Sequence, residues 1–298
     1  MSSIVAPALP ATEFNACAHA PPGYVRNVLT IARRELRDAL RARWFALYTL
    51  AFAVLGLGIS YVSTAGAGAP GLAGFARTAA GLVNLVLLVA PLMALSAGAG
   101  SIASDRERGM LLYLLAQPVG RSEVLLGKYL GLASALLACL CLGLGACALA
   151  VAWQGGATDP LGMLVLAVLS LGLALGMLSV GMLISTLARR TSVATGTAVF
   201  TWIALVFVSD LGLMAGTAAL RLRIETLFGL SLLNPLQVFK MWCLHAGDST
   251  LDVLGPAGLY AVEEYGAGLH GIFACCMAAW VLVPLFVAAV VFSRRSPL

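Results

Sequence analysis

The chain has 298 residues, of which 61% are apolar and 10% charged, with a formal net charge of +5 and a mean hydropathy of +0.97. Several apolar runs of 18 or more residues are each long enough to cross a hydrocarbon layer about 30 Å thick, which excludes a soluble domain. The length accommodates about six spans and their connections, and leaves no room for an additional soluble catalytic domain.

In chain order, residues 1–23 contain four prolines and no lysine or arginine. They lack the basic and apolar regions of a secretory signal and are expected to form a disordered tail. Residues 24–44, "YVRNVLTIARRELRDALRARW", place Val25, Val28, Leu29, Ala32, Leu36, Ala39 and Leu40 along one helical stripe, with Arg33, Arg37 and Arg41 on another face. That pattern predicts an amphipathic helix in the headgroup plane, arginines toward anionic lipid. Apolar runs at 45–63, 80–103, 129–153, 161–187, 193–216 and 271–292 predict six transmembrane helices, because a helix satisfies its own backbone in lipid. The expected fold class is therefore all-α, with one membrane domain over 24–298. A seventh candidate at 227–246 holds Asn234, Pro235, Gln237, Lys240 and His245, which are costly in lipid, and is expected outside the bilayer core.

Six spans put 14 of the 18 basic residues on one side. Positively charged loops stay in the cytoplasm, so both termini are expected inside. The stretch 217–270 is then the largest extracytoplasmic element, with Glu225, Asp248, Asp252, Glu263 and Glu264 exceeding its three basic residues.

Between the second and third spans lies "SDRERGMLLYLLAQPVGRSEVLLGKYLG". Its charges precede an apolar face of Met110, Leu111, Leu114 and Leu115 that is too short to span, and Pro118 and Gly120 break it before Ser122 caps the next helix. The pattern predicts a cytoplasmic helix held between two spans, able to receive a push from a soluble partner. An ordinary intracellular loop is the alternative. No phosphate-binding loop is present: Gly120 to Gly127-Lys128 has six intervening residues where four are needed, and Tyr129 follows where a serine or threonine is needed. Asp210 is the sole acid inside an apolar run, which disfavours a proton-coupled carrier, and three histidines disfavour a membrane-embedded enzyme.

The 104–131 segment resembles the cytoplasmic segment of type-2 ABC transporter permeases, with its acidic and basic residues, glycine, leucine-rich helix, Pro-x-x-Arg turn and Gly-Lys. The resemblance covers about residues 24–295. "SDLGLMAG" at 209–216, "LNPLQVFKMW" at 233–242 and "LGPAGLYAVEEYGAGL" at 254–269 narrow it to the NosY-like permeases of the NosDFY assembly, which matures the copper centres of nitrous oxide reductase. Gln237 and Lys240 stand where the resemblance leads one to expect an acid and an arginine.

The resemblance implies a non-catalytic membrane subunit in the bacterial inner membrane. It implies a homodimer, paired with a cytoplasmic NosF-like ATPase that binds ATP and magnesium, and engaging a NosD-like protein in the periplasm. Nothing would bind the chain directly as a cofactor, and copper is possible cargo. The implied ATPase-coupling residues are Asp105, Arg106, Glu107, Arg108, Gly109, Leu111, Leu114, Pro118 and Arg121. Asn234, Pro235, Gly255, Pro256 and Tyr260 are the docking candidates on the outer side. An exporter of a lipid, drug or polysaccharide is the alternative within the family. If copper is involved, Met241, Cys243 and His245 are soft or imidazole donors, sharing a face if the segment is extended, and otherwise packing residues. Cys139 and Cys141 lie about 200° apart around a helix and cannot jointly hold an ion. Gly172, Gly176 and Gly181 are expected at close contacts with another span or a second subunit.

Overall fold

The computed structural model describes residues 23–65, 72–116, 119–153, 160–218, 224–246 and 264–294. The expected tail falls outside them. Among the described residues the regular structure is helical throughout: α1 (Tyr24–Arg41), α2 (Arg43–Ala65), α3 (Leu72–Glu107), α4 (Met110–Leu115), α5 (Arg121–Trp153), α6 (Pro160–Leu187), α7 (Thr191–Ala218), α8 (Ile224–Leu232), α9 (Pro235–Ala246) and α10 (Leu269–Arg294), the last entered through a 3-10 turn at Gly266–Gly268. Each of the six apolar runs expected to span lies inside a single helix.

Five of these helices, α3, α5, α6, α7 and α10, contain segments long and apolar enough to cross a membrane. A sixth forms where α1 bends by 66° into α2. At 36 residues α3 measures about 54 Å. It therefore overruns a ~30 Å hydrocarbon layer and carries its last charged turn beyond it. The seventh apolar segment is the α8–α9 pair, bent by 109°. At 9 and 12 residues, neither arm reaches across. Asn234 makes the corner: its Oδ1 accepts from the Leu236 N–H at 3.0 Å, its Nδ2 donates to the Leu205 carbonyl at 2.8 Å, and Pro235 takes the first helical position, where no N–H is required. The hairpin does not lie flat on the bundle, because α9 buries Leu236, Gln237, Val238, Phe239 and Met241 among α6, α10, α3 and α7.

Glycines set the helix spacing. Where α3 crosses α6, a Cβ on Gly98 would stand 2.7 Å from the Leu178 carbonyl oxygen, and one on Gly181 2.6 Å from that of Leu95. Backbone meets backbone there. On its other side α6 meets α10, with Gly172 facing Met277 and Gly176 facing Trp280. All three glycines singled out in the sequence thus contact other spans of the same chain. α1 lies along α5 by the same device, since Gly131 admits the backbone of Ala32 and Gly127 the side chain of Ile31. Cys139 and Cys147 are buried in the core and Cys141 is exposed on the opposite side of α5, as the helical spacing requires. Thr49 donates to the Cys139 sulfur at 3.2 Å.

Candidate functional site at the basic end of the bundle

The charged segment between α3 and α5 sits at the end of the bundle that also holds α1. Asp105, Arg106 and Glu107 continue α3, and the helix stops at Gly109, whose φ of +73° is a left-handed turn that side chains disfavour. Sequence reading runs one helix from the charges into the leucines; the structure divides it at this glycine. α4 then spans only Met110–Leu115, about 9 Å. Leu111 pins it, 1% exposed in the core, while Met110 and Tyr113 are exposed and Leu114 is half-buried. Beyond it, α5 begins at Arg121. Its start is closed by Glu123, not Ser122: the Glu123 carboxylate accepts from the Gly120 N–H at 3.1 Å and from the Asn27 amide of α1 at 2.9 Å.

Most charges of the segment are engaged by other helix ends. The Arg106 guanidinium donates to the Ala188 carbonyl at 2.6 Å, at the end of α6. Glu107 accepts from the Thr191 N–H at 3.0 Å, at the start of α7. The hydrogen bond to the Thr191 side chain and that to its backbone hold the Glu107 carboxyl below the usual carboxylate range. Arg121 donates to the carbonyls of Ser293 at 2.9 Å and Phe292 at 3.4 Å, at the end of α10. Cations here meet free carbonyls and the anion meets free N–H groups, the pairing that helix termini favour.

The centre of the cluster is Lys128, 4% exposed, which sequence reading passed over as part of a Gly-Lys pair. Its ammonium lies 2.8 Å from Asp105 and 3.0 Å from Glu35, and donates to the Ser101 carbonyl at 3.3 Å. Three helices, α1, α3 and α5, are thereby joined at one buried charge with all three donors engaged. Just deeper in α3, Ser185 of α6 accepts from the N–H groups of Ile102 and Ala103, both at 2.9 Å. The signal available in the sequence was a lysine at the mouth of an apolar run, where an ionisable group needs a partner.

The segment thus divides in two. Asp105, Arg106, Glu107 and Arg121 bind the ends of α5, α6, α7 and α10 into one unit, and Leu111 anchors α4. Arg108, Met110 and Tyr113 are exposed. Pro118 lies outside the described residues. Between the segment, α1, α2 and α7 opens a cavity of about 620 Å3, lined among others by Trp44, Tyr48, Asp105, Arg108, Lys128 and Thr195.

At the opposite end of the bundle, Asn234 and Pro235 are buried at the α8–α9 corner, and Gly255, Pro256 and Tyr260 lie outside the described residues. Because α9 is helical, Cys243 leaves the face shared by Met241 and His245. Met241 is 2% exposed, and burial pushes the Cys243 thiol up to about 12, so it stays protonated at neutral pH. His245 meets His270 instead, with ring centroids 4.5 Å apart, and His270 Nδ1 accepts from the Trp242 indole at 3.1 Å. Among the described residues no group of three His, Cys, Asp or Glu is arranged to hold a metal.

Comparison with known proteins bears on both ends. Residues 29–296 match the model of a family described as ABC-2 family transporter protein. A protein of Stutzerimonas stutzeri named "Probable ABC transporter permease protein NosY" is 33% identical over 278 residues, covering 91% of this chain and 99% of that one. A protein of the same name from Pseudomonas aeruginosa is 32% identical over 276 residues, covering 90% and 98%.

Proposed function

Because the chain belongs to the ABC-2 family of transporter proteins, we propose that this multi-pass membrane permease subunit receives work from a separate cytoplasmic ATPase through α4 and the charged turn before it. The observation that carries the proposal is the division of the segment: exposed Arg108, Met110 and Tyr113 present a mixed basic and apolar surface, while their neighbours lock the ends of four other helices, α5, α6, α7 and α10, and tie in α1 through Lys128. A partner pressing on α4 would move those ends together. The chain has no phosphate-binding loop, which fits hydrolysis in another polypeptide.

In this reading the basic end and both termini face the cytoplasm of a bacterium with an inner membrane. The outer end meets a NosD-like partner, and two copies form a homodimer. The exposed apolar faces of α2 and α7 support the dimer; the apolar window of α7 is only 11% buried within the chain, against 56% for α3. The likeness to the NosY relatives supports service to copper-centre maturation in nitrous oxide reductase, by transport or by mechanical relay. A second reading, export of an amphiphile, is favoured by the cavity of about 620 Å3 at the basic end, where Trp44 and Tyr48 stand beside charged groups.

The test is co-purification with a cytoplasmic ABC ATPase co-expressed with the chain. Arg108→Glu combined with Tyr113→Asp should abolish recovery of the ATPase and leave insertion unchanged, because both side chains are exposed. Full recovery of the complex would refute the docking site. Sidedness is checked separately: in M110C with the native cysteines replaced by serine, an impermeant thiol reagent should label the chain only in inside-out vesicles. Labelling from the outside would invert the topology and remove the reading.

A further inference from the structure

The helix α1 carries three distinct faces. Asn27, Val28 and Ala39 are buried, and Glu35 is turned toward Lys128, on the side that packs against α5. About a quarter-turn away, at roughly 100° per residue, Val25, Leu29 and Leu40 are 67%, 60% and 47% exposed. Next to them, opposite the packed face, run Arg26, Arg33, Arg34, Arg37 and Arg41, all exposed. Arg34 pairs with Asp38 at 3.7 Å; for Arg26, Arg33, Arg37 and Arg41 there is no ion pair among the described residues. Sequence periodicity merges the first two faces into one apolar stripe. The structure separates them, so that one is used up on α5 and the other remains uncovered.

An uncovered apolar strip flanked by a row of unpaired arginines, on a helix that bends by 66° into an apolar span, fits the boundary between acyl chains and anionic headgroups. An acidic protein surface would satisfy the arginines but would leave Val25, Leu29 and Leu40 in water. The packed face adds the second half of the argument. Glu35 sits in this helix and holds Lys128, which holds Asp105, three residues before the exposed Arg108. Asn27, in the same helix, holds Glu123 at the start of α5. Any shift of α1 in the headgroup layer is felt at both edges of the charged segment.

We propose that α1 is a receptor surface for anionic phospholipid headgroups, and that the Glu35–Lys128–Asp105 link makes the partner ATPase respond to their presence. This rests on the ATPase-docking reading above. The arginine row is the binding surface, and Glu35 is a positioning residue that touches no lipid and acts through Lys128. The coupling is reciprocal, so ATPase binding should also tighten retention of anionic lipid.

The test reconstitutes the intact complex into nanodiscs of phosphatidylcholine alone, or with about a third of it replaced by phosphatidylglycerol, at which level the surface potential attracts an arginine by roughly fivefold each. ATP turnover should rise severalfold with phosphatidylglycerol, the rise should shrink in about 1 M salt, where screening reaches within ~3 Å, and free inorganic phosphate should not reproduce it. R33Q/R37Q/R41Q should bring the ratio of turnover in the two lipids to one. E35Q should do the same while native mass spectrometry still finds phosphatidylglycerol retained, which a purely structural role for Glu35 would not produce. Equal turnover of the wild-type complex in both lipids overturns the proposal. Loss of the ATPase from the arginine variant overturns it too, by assigning the row to a protein partner. If the wild-type chain brings down no ATPase, the docking reading fails instead; lipid retention by the chain alone, abolished in the arginine variant, then decides the surface separately.

Discussion

Replacing Gly181 with leucine should destroy the folded bundle, and Gly98→Leu should do the same. At this crossing of α3 and α6 a Cβ on Gly181 would lie 2.6 Å from the Leu95 carbonyl oxygen and 3.1 Å from the Ala99 nitrogen. On Gly98 it would lie 2.7 Å from the Leu178 oxygen and 2.9 Å from the Met182 nitrogen. The obstructing atoms are backbone, so no rotamer change can relieve the clash and the helices must separate. Separation undoes more than one contact, because Leu95, Leu178 and Met182 around the crossing are fully buried. Overpacking of this kind costs ~1–3 kcal/mol where side chains can give way, and more where only backbone can move. The check is the fraction of detergent-extracted chain that elutes as a single species, with its melting temperature, against Gly145→Leu, whose Cβ would meet nothing within 4 Å. Equal behaviour of the two variants would show that the crossing is looser than this geometry.

Lys128→Met should be the most damaging change that adds no bulk. Lys128 is 4% exposed, and the side chains of its carboxylate partners are 20% and 21% exposed, so methionine leaves Glu35 and Asp105 facing each other across an apolar group. Removing one member of a buried ionic cluster costs ~3–5 kcal/mol, mostly through the stranded charges. The same reasoning predicts a rescue. Adding Glu35→Gln and Asp105→Asn to Lys128→Met removes the stranded charges and should recover a large part of the lost stability, a non-additivity that only a direct interaction yields. Thermal unfolding of the wild type, Lys128→Met, the Glu35→Gln/Asp105→Asn variant and the triple variant in one detergent measures it. If the triple variant is as unstable as the sum of its parts, the three groups do not form the link described here. ATPase recovery should follow stability in the single variant and return only in part in the triple one, since neutral side chains restore packing but not the tie between α1 and α3.

Both predictions stand on residues that look unremarkable in one dimension. Gly181 and Gly98 are two of many glycines in apolar runs; what distinguishes them is that their faces meet. Lys128 is, in the sequence, half of a Gly-Lys pair. The charged segment itself was legible, since charge is rare in this chain and its bounding glycines and proline mark a break between spans. The direction of each charge was not. Arg106, Glu107 and Arg121 reach helix ends 82 to 172 residues away in the chain, and a hydrogen bond across such a separation leaves no periodic trace. Glu123 displaced Ser122 as the cap of α5 for a related reason: a carboxylate there satisfies Asn27 of α1 as well, a partner invisible from the local sequence.

What the amino-acid order settled by itself was the all-helical membrane class, the positions of the spans and the basic end, because hydrocarbon thickness and the need of every backbone group for a partner leave no other solution for runs of this length and polarity. What only the tertiary structure decided was which face each helix spends on its neighbours. Inside lipid the apolar stripes are equivalent and carry no preference, so the choice falls to close glycine crossings and to the few buried polar groups that find one another, and it is these that join α1, the charged segment and the spans into one mechanical unit.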